Sequence, residues 1–336
     1  MLSALWIAIA SVYGLAIGSF LNVVIWRLPR GGSLINPVWS YCPSCEHRLG
    51  TPDLVPVFSF LALRARCRYC RQPISWRYPS IELLTGLLFA AVAWRFGGTW
   101  DTIFYCLLTA ALICVFFIDL EHYIIPDELN IAIALIGFAH NAVGIATRQS
   151  GQWTQTGSVS LPASLVGFIG YSAVIYAIGL LGYVYLVSFA DKRLSAGRAT
   201  WDYLRENAQD WAWVTVYYLG TVVPPLRKYA APPPAMEGAT AQEIEENEDA
   251  GVMGSGDGKL AAALGANLFL PHSLLSLLIA IFLGASAGIV VLAVRRRRLG
   301  SRVPIPFGPA MVGGALLALF FGDSILTWYM GYLHHA

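Results

Sequence analysis

The sequence predicts an all-α protein that crosses a membrane several times and carries a small polar domain after its first helix. Hydrophobic residues make up 57% of the 336 residues and charged residues only 12%, whereas about 25% of residues are charged in an ordinary soluble domain. The mean hydropathy is +0.59. The net charge is only +2, and the basic residues form no stripe interleaved with aromatic residues. We therefore expect a lipid bilayer as a partner and no nucleic acid.

About eight apolar stretches come near the roughly 20 residues that a membrane-spanning helix needs. Glycine and other small residues are frequent within these stretches, as close helix packing in lipid allows. The sixth stretch is too short to cross a bilayer alone. The predicted spans cover residues 4–26, 80–95, 102–118, 129–146, 161–189, 260–270, 274–294 and 309–332.

The arginines predict the orientation of these spans, because Lys and Arg accumulate near helix ends on the cytoplasmic side. Arg27 and Arg30 follow the first span, and the run 295–298 with Arg302 lies between the seventh and eighth spans. With eight spans, both regions face the cytoplasm and both termini lie outside. No basic residue precedes the first apolar run, so a retained helix is expected rather than a cleaved signal peptide.

Three segments follow from this pattern. Residues 1–26 form the first transmembrane helix, residues 27–79 a cytoplasmic domain with four of the six cysteines, and residues 80–336 a membrane domain. The segment 27–79 is too small to bury a large core, and small scaffolds need staples such as a metal.

A long cytoplasmic loop at 190–256 is predicted within the membrane domain. Its first part, 195–218, is rich in Trp and Tyr and predicts an amphipathic helix at the membrane interface. The prolines at 224–225 and 232–234 break any helix. The acidic run 243–249 is typical of a mobile linker without a specific role.

The cysteines form two CxxC pairs with 21 residues between them, at Cys42 and Cys45 and at Cys67 and Cys70. Two such pairs supply the four soft ligands of a closed tetrahedral zinc site. Two disulfides are the alternative, but they need an oxidising compartment. The cytoplasmic orientation therefore favours zinc with a structural role. The remaining cysteines, Cys106 and Cys114, lie in an apolar run and are expected to be small buried hydrophobes.

Two aspartates are the candidate catalytic residues. Asp119 closes the apolar run 109–118, and Asp257 lies in the glycine-rich segment 254–258 just before another apolar run. An ionisable group at such a depth is costly and by default functional. Two neighbouring carboxylates cannot both ionise, so one can serve as acid while the other serves as base. Asp323, a further acid within a span, is not expected to be catalytic.

On these residues the chain resembles the bifunctional type IV prepilin peptidases, GxGD aspartyl proteases that act as leader peptidase/N-methyltransferases in bacterial pilus and type II secretion systems. The resemblance covers nearly the whole chain. Two features depart from the family pattern: Gly258 stands where an aliphatic residue is usual, and the loop 190–250 is longer than usual. The similar motifs are 18–29, the two CxxC pairs, 77–86, Asp119 with 125–127, 253–260 and 306–309.

The resemblance implies cleavage of prepilin or pseudopilin leaders at the cytoplasmic face of the bacterial inner membrane. It also implies methylation of the new N-terminal amine with S-adenosylmethionine, although the sequence contains no Gly-rich nucleotide loop. Asp119 and Asp257 would then activate water and protonate the scissile amide, without a covalent intermediate. Two alternatives remain: a peptidase without methyltransferase activity, and a non-catalytic, zinc-stabilised transporter or assembly factor.

Overall fold

The structure, a computed structural model, describes residues 2–156, 159–185, 188, 195–222, 254–294 and 306–335. Helices dominate this part of the chain, and one short antiparallel hairpin, β1 with β2, interrupts them. The elements in chain order are α1 Leu2–Arg27, α2 Phe58–Ala62, α3 Arg77–Phe96, α4 Trp100–His122, α5 Asp127–Ala146, β1 Trp153–Thr156, β2 Val159–Pro162, α6 Ala163–Val184, α7 Ala196–Val222, α8 Ser255–Val294 and α9 Gly308–His335.

Seven of the described helices are long and apolar enough to cross a membrane, namely α1, α3, α4, α5, α6, α8 and α9. This confirms an all-α, multi-pass membrane protein. The sixth and seventh predicted spans are two arms of α8, which has 40 residues. The arms meet at Phe269, whose φ of +57° is not helical, and at Pro271, which cannot donate the helical hydrogen bond of its missing N–H.

The chain divides into two compact units. The first comprises Met1–Tyr171 and Ala262–Ala336, and the second comprises Ser172–Ala261. In the first unit, α1 packs closely on α3: a Cβ atom added to Gly14 would lie 2.8 Å from the Cα of Gly86. Small residues at a helix crossing bring two backbones together in this way.

Three ionisable pairs join the helices of the first unit. Asp323 in α9 accepts hydrogen bonds from Arg95 at 2.9 Å and from His272 at 3.1 Å. His140 in α5 lies 2.8 Å from Asp101 in α4. The acid that was expected to be non-catalytic, Asp323, thus connects three helices.

The predictions for the long loop and for the arginines after the seventh predicted span have different outcomes. The helix predicted at 195–218 is present as α7. The proline-rich part and the acidic run of the same loop, and the arginines 295–298 and 302, lie outside the described residues.

Candidate active site and metal centre

Each CxxC pair sits in a short hairpin turn. Cys42 donates its backbone N–H to His47 at 3.0 Å, and Cys67 donates its own to Gln72 at 2.9 Å. The four thiols are free rather than joined in disulfides. Their sulfur atoms lie within 4.8 Å of one another, close enough for all four to hold one metal ion.

The backbone of the second hairpin favours the thiolate form that a metal ligand needs. The N–H of Cys70, followed by the N–H of Tyr69, lowers the pKa of the Cys67 thiol to about 7. Thiolates, not thiols, bind metal ions. The backbone N–H groups of the second hairpin therefore stabilise the thiolate form of Cys67. Cys114, by contrast, is buried in the apolar helix α4, as expected.

Asp53 connects the two hairpins. Its carboxylate accepts hydrogen bonds from Arg68 at 2.6 Å, from the Tyr69 hydroxyl at 3.2 Å and from the Gly50 N–H at 3.1 Å. Burial raises the pKa of Asp53, but the hydrogen bond from Arg68 and the two others outweigh burial, so the pKa lies below its usual value. The ionised carboxylate is thus part of the folded domain.

Buried polar side chains join this domain to the membrane helices. Arg27, at the end of α1, donates to the carbonyl oxygens of Ser33, Pro37 and Trp39 at 2.8 to 3.2 Å. Glu82 in α3 accepts the N–H of Val57 at 2.7 Å. Val57 has a φ of +61°, which is rare for a β-branched residue, so this bond stabilises an otherwise unfavourable turn.

Asp119 lies near the end of α4 and is 5% exposed. Its Oδ2 accepts a hydrogen bond of 2.9 Å from the backbone N–H of Gly308, the first residue of α9. A Cβ atom added to Gly308 would lie 2.5 Å from the same oxygen. Gly308 belongs to the motif 306–309, so this motif presents a helix amino terminus, which attracts anions, to the first candidate aspartate.

An ion pair lies close to Asp119 along the chain. Arg77, the first residue of α3, contacts Glu121 of α4 at 2.6 Å. Both side chains of the pair are partly exposed. The pair connects the start of α3 with the end of α4.

Asp257 lies in the first turn of α8 and is half-buried. Its N–H bonds to the carbonyl oxygen of Gly254 at 3.1 Å. The next residue, Gly258, is buried against Tyr176 of α6, and a Cβ atom there would lie 2.5 Å from the tyrosine ring. The unusual glycine thus has a physical reason: the tyrosine occupies the volume that an aliphatic side chain would need.

Helix α7, part of the long loop, packs on this turn within the second unit. Trp211 donates its indole N–H to the Tyr176 hydroxyl at 2.7 Å. Asp210 contacts the ammonium of Lys259 at 2.8 Å. The side chain of Lys259 is only 6% exposed. The loop helix therefore contacts the segment that carries Asp257 directly through Asp210, and indirectly through Trp211, which bonds to the tyrosine that lies against Gly258.

The two candidate aspartates belong to different compact units, Asp119 to the first and Asp257 to the second. The four cysteines all lie in the first unit and come together. The sequence pointed to Arg27 only as a marker of orientation and assigned no role to Glu82 or Gly308, although all three lie in the motifs quoted above. Each is a buried polar contact or a close backbone approach, which only the tertiary structure reveals.

Two models of known protein families match successive parts of the chain. Residues 12–96 match the family model of the bacterial peptidase A24 N-terminal domain, and residues 106–289 match that of the type IV leader peptidase family. No solved structure matches.

Curated relatives match over most of the chain. A prepilin leader peptidase/N-methyltransferase of Aeromonas hydrophila is 31% identical over 97% of this chain and 94% of its own length. A protein of the same name from Legionella pneumophila is 28% identical over 96% of this chain and 94% of its own length. Another from Myxococcus xanthus is 49% identical over a shorter match, which covers 38% of each chain. The chain therefore belongs to the type IV leader peptidase family.

Proposed function

We propose that this protein cleaves the leader peptide of type IV prepilins or type II secretion pseudopilins and then methylates the new N-terminal amine. The observation that carries the cleavage step is the setting of Asp119, a buried carboxylate that accepts a hydrogen bond from the amino terminus of α9. Asp257, in the first turn of α8, is its proposed partner. Both aspartates lie within the segment that matches the peptidase family.

In the proposed cleavage, Asp119 and Asp257 act as an acid–base pair. The charged carboxylate takes a proton from water as the water attacks the scissile carbonyl carbon, and the protonated carboxyl donates its proton to the departing amide nitrogen. The Gly308 N–H fixes the position of one Asp119 oxygen during this exchange. The pair titrates as a unit, since neighbouring carboxylates share one proton.

The proposed setting is the bacterial inner membrane, with both aspartates facing the cytoplasm. Arg27 and Arg30 follow α1, and Arg77 starts α3, so the arginine-rich domain lies on the side where positive charges accumulate. The family resemblance implies a substrate whose leader precedes an apolar helix. An active site at the cytoplasmic ends of membrane helices is suited to such a substrate.

We propose Zn²⁺ as the ion of the cysteine site, in a structural role. Four thiolates are the ligand set of closed zinc sites, and at a Zn–S distance of about 2.3 Å the sulfurs of a tetrahedron lie about 3.8 Å apart. Cys42 and Cys70 have their sulfurs 3.8 Å apart. The residues therefore fit zinc, and the ion would hold the two hairpins together.

The methyl donor that the family resemblance implies is S-adenosylmethionine, which supplies an electrophilic methyl group on a sulfonium sulfur. When bound, the donor would supply its methyl group to the neutral amine, whose nitrogen would then lose one proton to water. The protein's part is to hold the neutral amine in line with that bond.

The test is intact-mass analysis of a prepilin incubated with detergent-purified protein, with and without S-adenosylmethionine. We expect leader loss in both samples, and one added methyl group only with the donor. Asp119→Asn and Asp257→Asn should each abolish cleavage while the protein remains in the membrane, because Asn cannot exchange the proton. A scaffold or transporter would leave the prepilin intact in every sample, and a peptidase alone would give the unmethylated product in both.

A further inference from the structure

Asn130 in α5 carries a buried carboxamide that has no polar partner among the described residues. The residue is 5% exposed. Both its Oδ1 and its Nδ2 are buried, and neither makes a hydrogen bond to a described residue. A carboxamide has two N–H groups to donate and an oxygen that accepts. Burying it without a partner lowers the free energy of unfolding, so its presence needs a reason.

The other buried asparagines among the described residues all use their side chains. Asn22 and Asn267 each donate two hydrogen bonds to backbone carbonyl oxygens. Asn141, in the same helix as Asn130, donates through Nδ2 and accepts the Ser164 hydroxyl at 2.9 Å through Oδ1. These three side chains therefore stabilise the fold, whereas Asn130 does not.

Local structure gives Asn130 no reason to be polar. Helix α5 begins at Asp127, with Pro126 as its N-cap, so Asn130 lies inside the helix. Asn favours caps and turns over helix interiors, because its side chain competes for backbone groups. Its neighbours Leu129 and Ile133 are buried and apolar. A polar side chain that is buried in a membrane helix without a structural partner indicates a function.

Asn130 and Asp119 lie at the same depth in the helical hairpin of α4 and α5. Asp119 precedes the last residue of α4, His122, by three positions, and Asn130 follows the first residue of α5, Asp127, by three positions. At about 1.5 Å per residue, each lies about 4.5 Å from its helix end. The connection 123–126 is short, so the two helices are antiparallel neighbours.

The two side chains also share their environment. The helices α4 and α5 pack on each other within the first compact unit, and Asp119 and Asn130 are each 5% exposed. Any opening that admits a peptide to Asp119 therefore reaches the level of Asn130. Asn130 also lies within 106–289, the segment that matches the peptidase family model.

We propose that the Asn130 carboxamide binds the main chain of the prepilin beside its scissile bond, an inference that rests on the proposed peptidase function. In an extended peptide, the N–H and C=O of one residue point to the same side. A carboxamide presents a matching donor and acceptor. Nδ2 donates to the peptide carbonyl, and Oδ1 accepts the peptide N–H. These bonds hold the scissile amide in position whatever the neighbouring side chains are.

The first test compares Asn130→Leu with the unaltered full-length protein in detergent, on a synthetic prepilin peptide that carries the leader and the cleavage site. The value of kcat/KM should fall by about tenfold or more, because the bonds to the substrate are lost. The melting temperature should stay equal or rise, because the variant no longer buries an unpaired amide. A lower melting temperature together with lost cleavage would indicate a structural role and overturn the proposal.

Asn141→Leu is the matched control in the same helix. It removes a carboxamide that has partners inside the protein. It should therefore lower the melting temperature but keep kcat/KM per folded molecule within about twofold.

A second test replaces single peptide bonds on either side of the scissile bond with esters, which lack the N–H. One ester should lower kcat/KM of the unaltered protein by about tenfold, at the position whose N–H Oδ1 accepts. The same ester should slow Asn130→Leu by less than about twofold, because that variant has no acceptor to lose.

The outcomes separate this inference from the proposed function. If Asn130→Leu cleaves normally, or if every ester slows both proteins equally, the carboxamide does not hold the main chain. If the unaltered protein leaves the all-amide peptide uncut, the peptidase function itself is wrong and this inference fails with it. An ester effect that disappears only in Asn130→Leu supports the proposal.

Discussion

The backbone N–H of Gly308 donates a 2.9 Å hydrogen bond to Oδ2 of Asp119, across 189 positions of sequence. The contact brings the late motif 306–309 to the first candidate aspartate. Because the donor is a backbone group at the start of α9, the position of the carboxylate depends on how closely that helix end approaches.

We predict that Gly308→Ala abolishes leader cleavage without removing the protein from the membrane. The added Cβ atom would lie 2.5 Å from Oδ2 of Asp119, a separation that forces one of the two groups to move. The measurement is the rate of prepilin cleavage at matched expression.

Gly331→Ala is the matched control, since Gly331 lies in the same helix and has no atom within 4 Å of an added Cβ. It should cleave like the unaltered protein. Near-normal cleavage by Gly308→Ala would show that the close approach of α9 to Asp119 is not needed for the reaction.

Some of these relationships could be predicted from sequence and others could not. The apolar runs, the two CxxC pairs and the helix at 195–218 follow from periodicity, spacing and composition, which are local properties. The bond between Asp119 and Gly308 and the bonds from Arg27 to the carbonyls of Ser33, Pro37 and Trp39 depend on tertiary approach. In each of these bonds one partner is a backbone group, which carries no residue-specific signal.

The break in α8 is another feature that the sequence alone locates only approximately. The sequence indicated two spans, 260–270 and 274–294, which lie on either side of 271–273. The structure joins them in one element that changes direction at Phe269. Composition marks such a break only approximately, since neighbouring helices decide which residue adopts the non-helical conformation.

Gly258→Ala should impair cleavage, because its Cβ atom would enter the ring of Tyr176. The double variant Gly258→Ala with Tyr176→Leu should recover much of the lost activity by creating room beside Asp257. Prepilin cleavage by the two variants and by Tyr176→Leu alone measures the effect.

Gly197→Ala controls for the loss of a glycine in the second unit, since no atom lies within 4 Å of an added Cβ there. Equal activity of the single and double variants, both low, would contradict the steric explanation. It would indicate that the tyrosine ring itself is required.

Purified protein should contain one zinc ion per chain, held by Cys42, Cys45, Cys67 and Cys70. Cys67→Ser should lose the ion and unfold the domain at 27–79, because metal-binding free energy in such a site is folding free energy. Elemental analysis and limited proteolysis give the two measurements. Cys114→Ser, which alters a buried thiol in α4, is the control that should keep the metal. Full zinc content in Cys67→Ser would exclude the four-thiolate site.

Asp53→Asn should destabilise the same domain by a nearly constant amount between about pH 5 and pH 8. The folded state lowers the pKa of Asp53, so its stabilising contribution is complete above the unfolded value of about 3.9. The contribution disappears as the pH falls through the lowered folded-state value. Thermal unfolding followed by tryptophan fluorescence, compared between the variant and the unaltered protein at each pH, tests this. A difference that changes strongly between pH 5 and pH 8 would assign the effect to another group.

The pair of Lys259 and Asp210 provides the last prediction, for the second unit. Lys259 is 6% exposed and contacts Asp210 of α7 at 2.8 Å. Removing one member of a buried ion pair leaves the other charge buried without this partner. That lowers the free energy of unfolding more than removing both members does. Asp210→Asn should therefore lower the stability of the second unit and the rate of prepilin cleavage.

A double-mutant cycle separates this coupling from the loss of either side chain alone. Lys259→Met combined with Asp210→Asn should be more stable than Asp210→Asn, because the buried ammonium is gone. Asp202→Asn, an acid in the same helix with no ion pair among the described residues, is the control and should have little effect. If the double variant is as unstable as the sum of the two single variants, Lys259 and Asp210 act independently. The loop helix would then influence the turn at Asp257 by a route other than this ion pair, such as the bond from Trp211 to Tyr176.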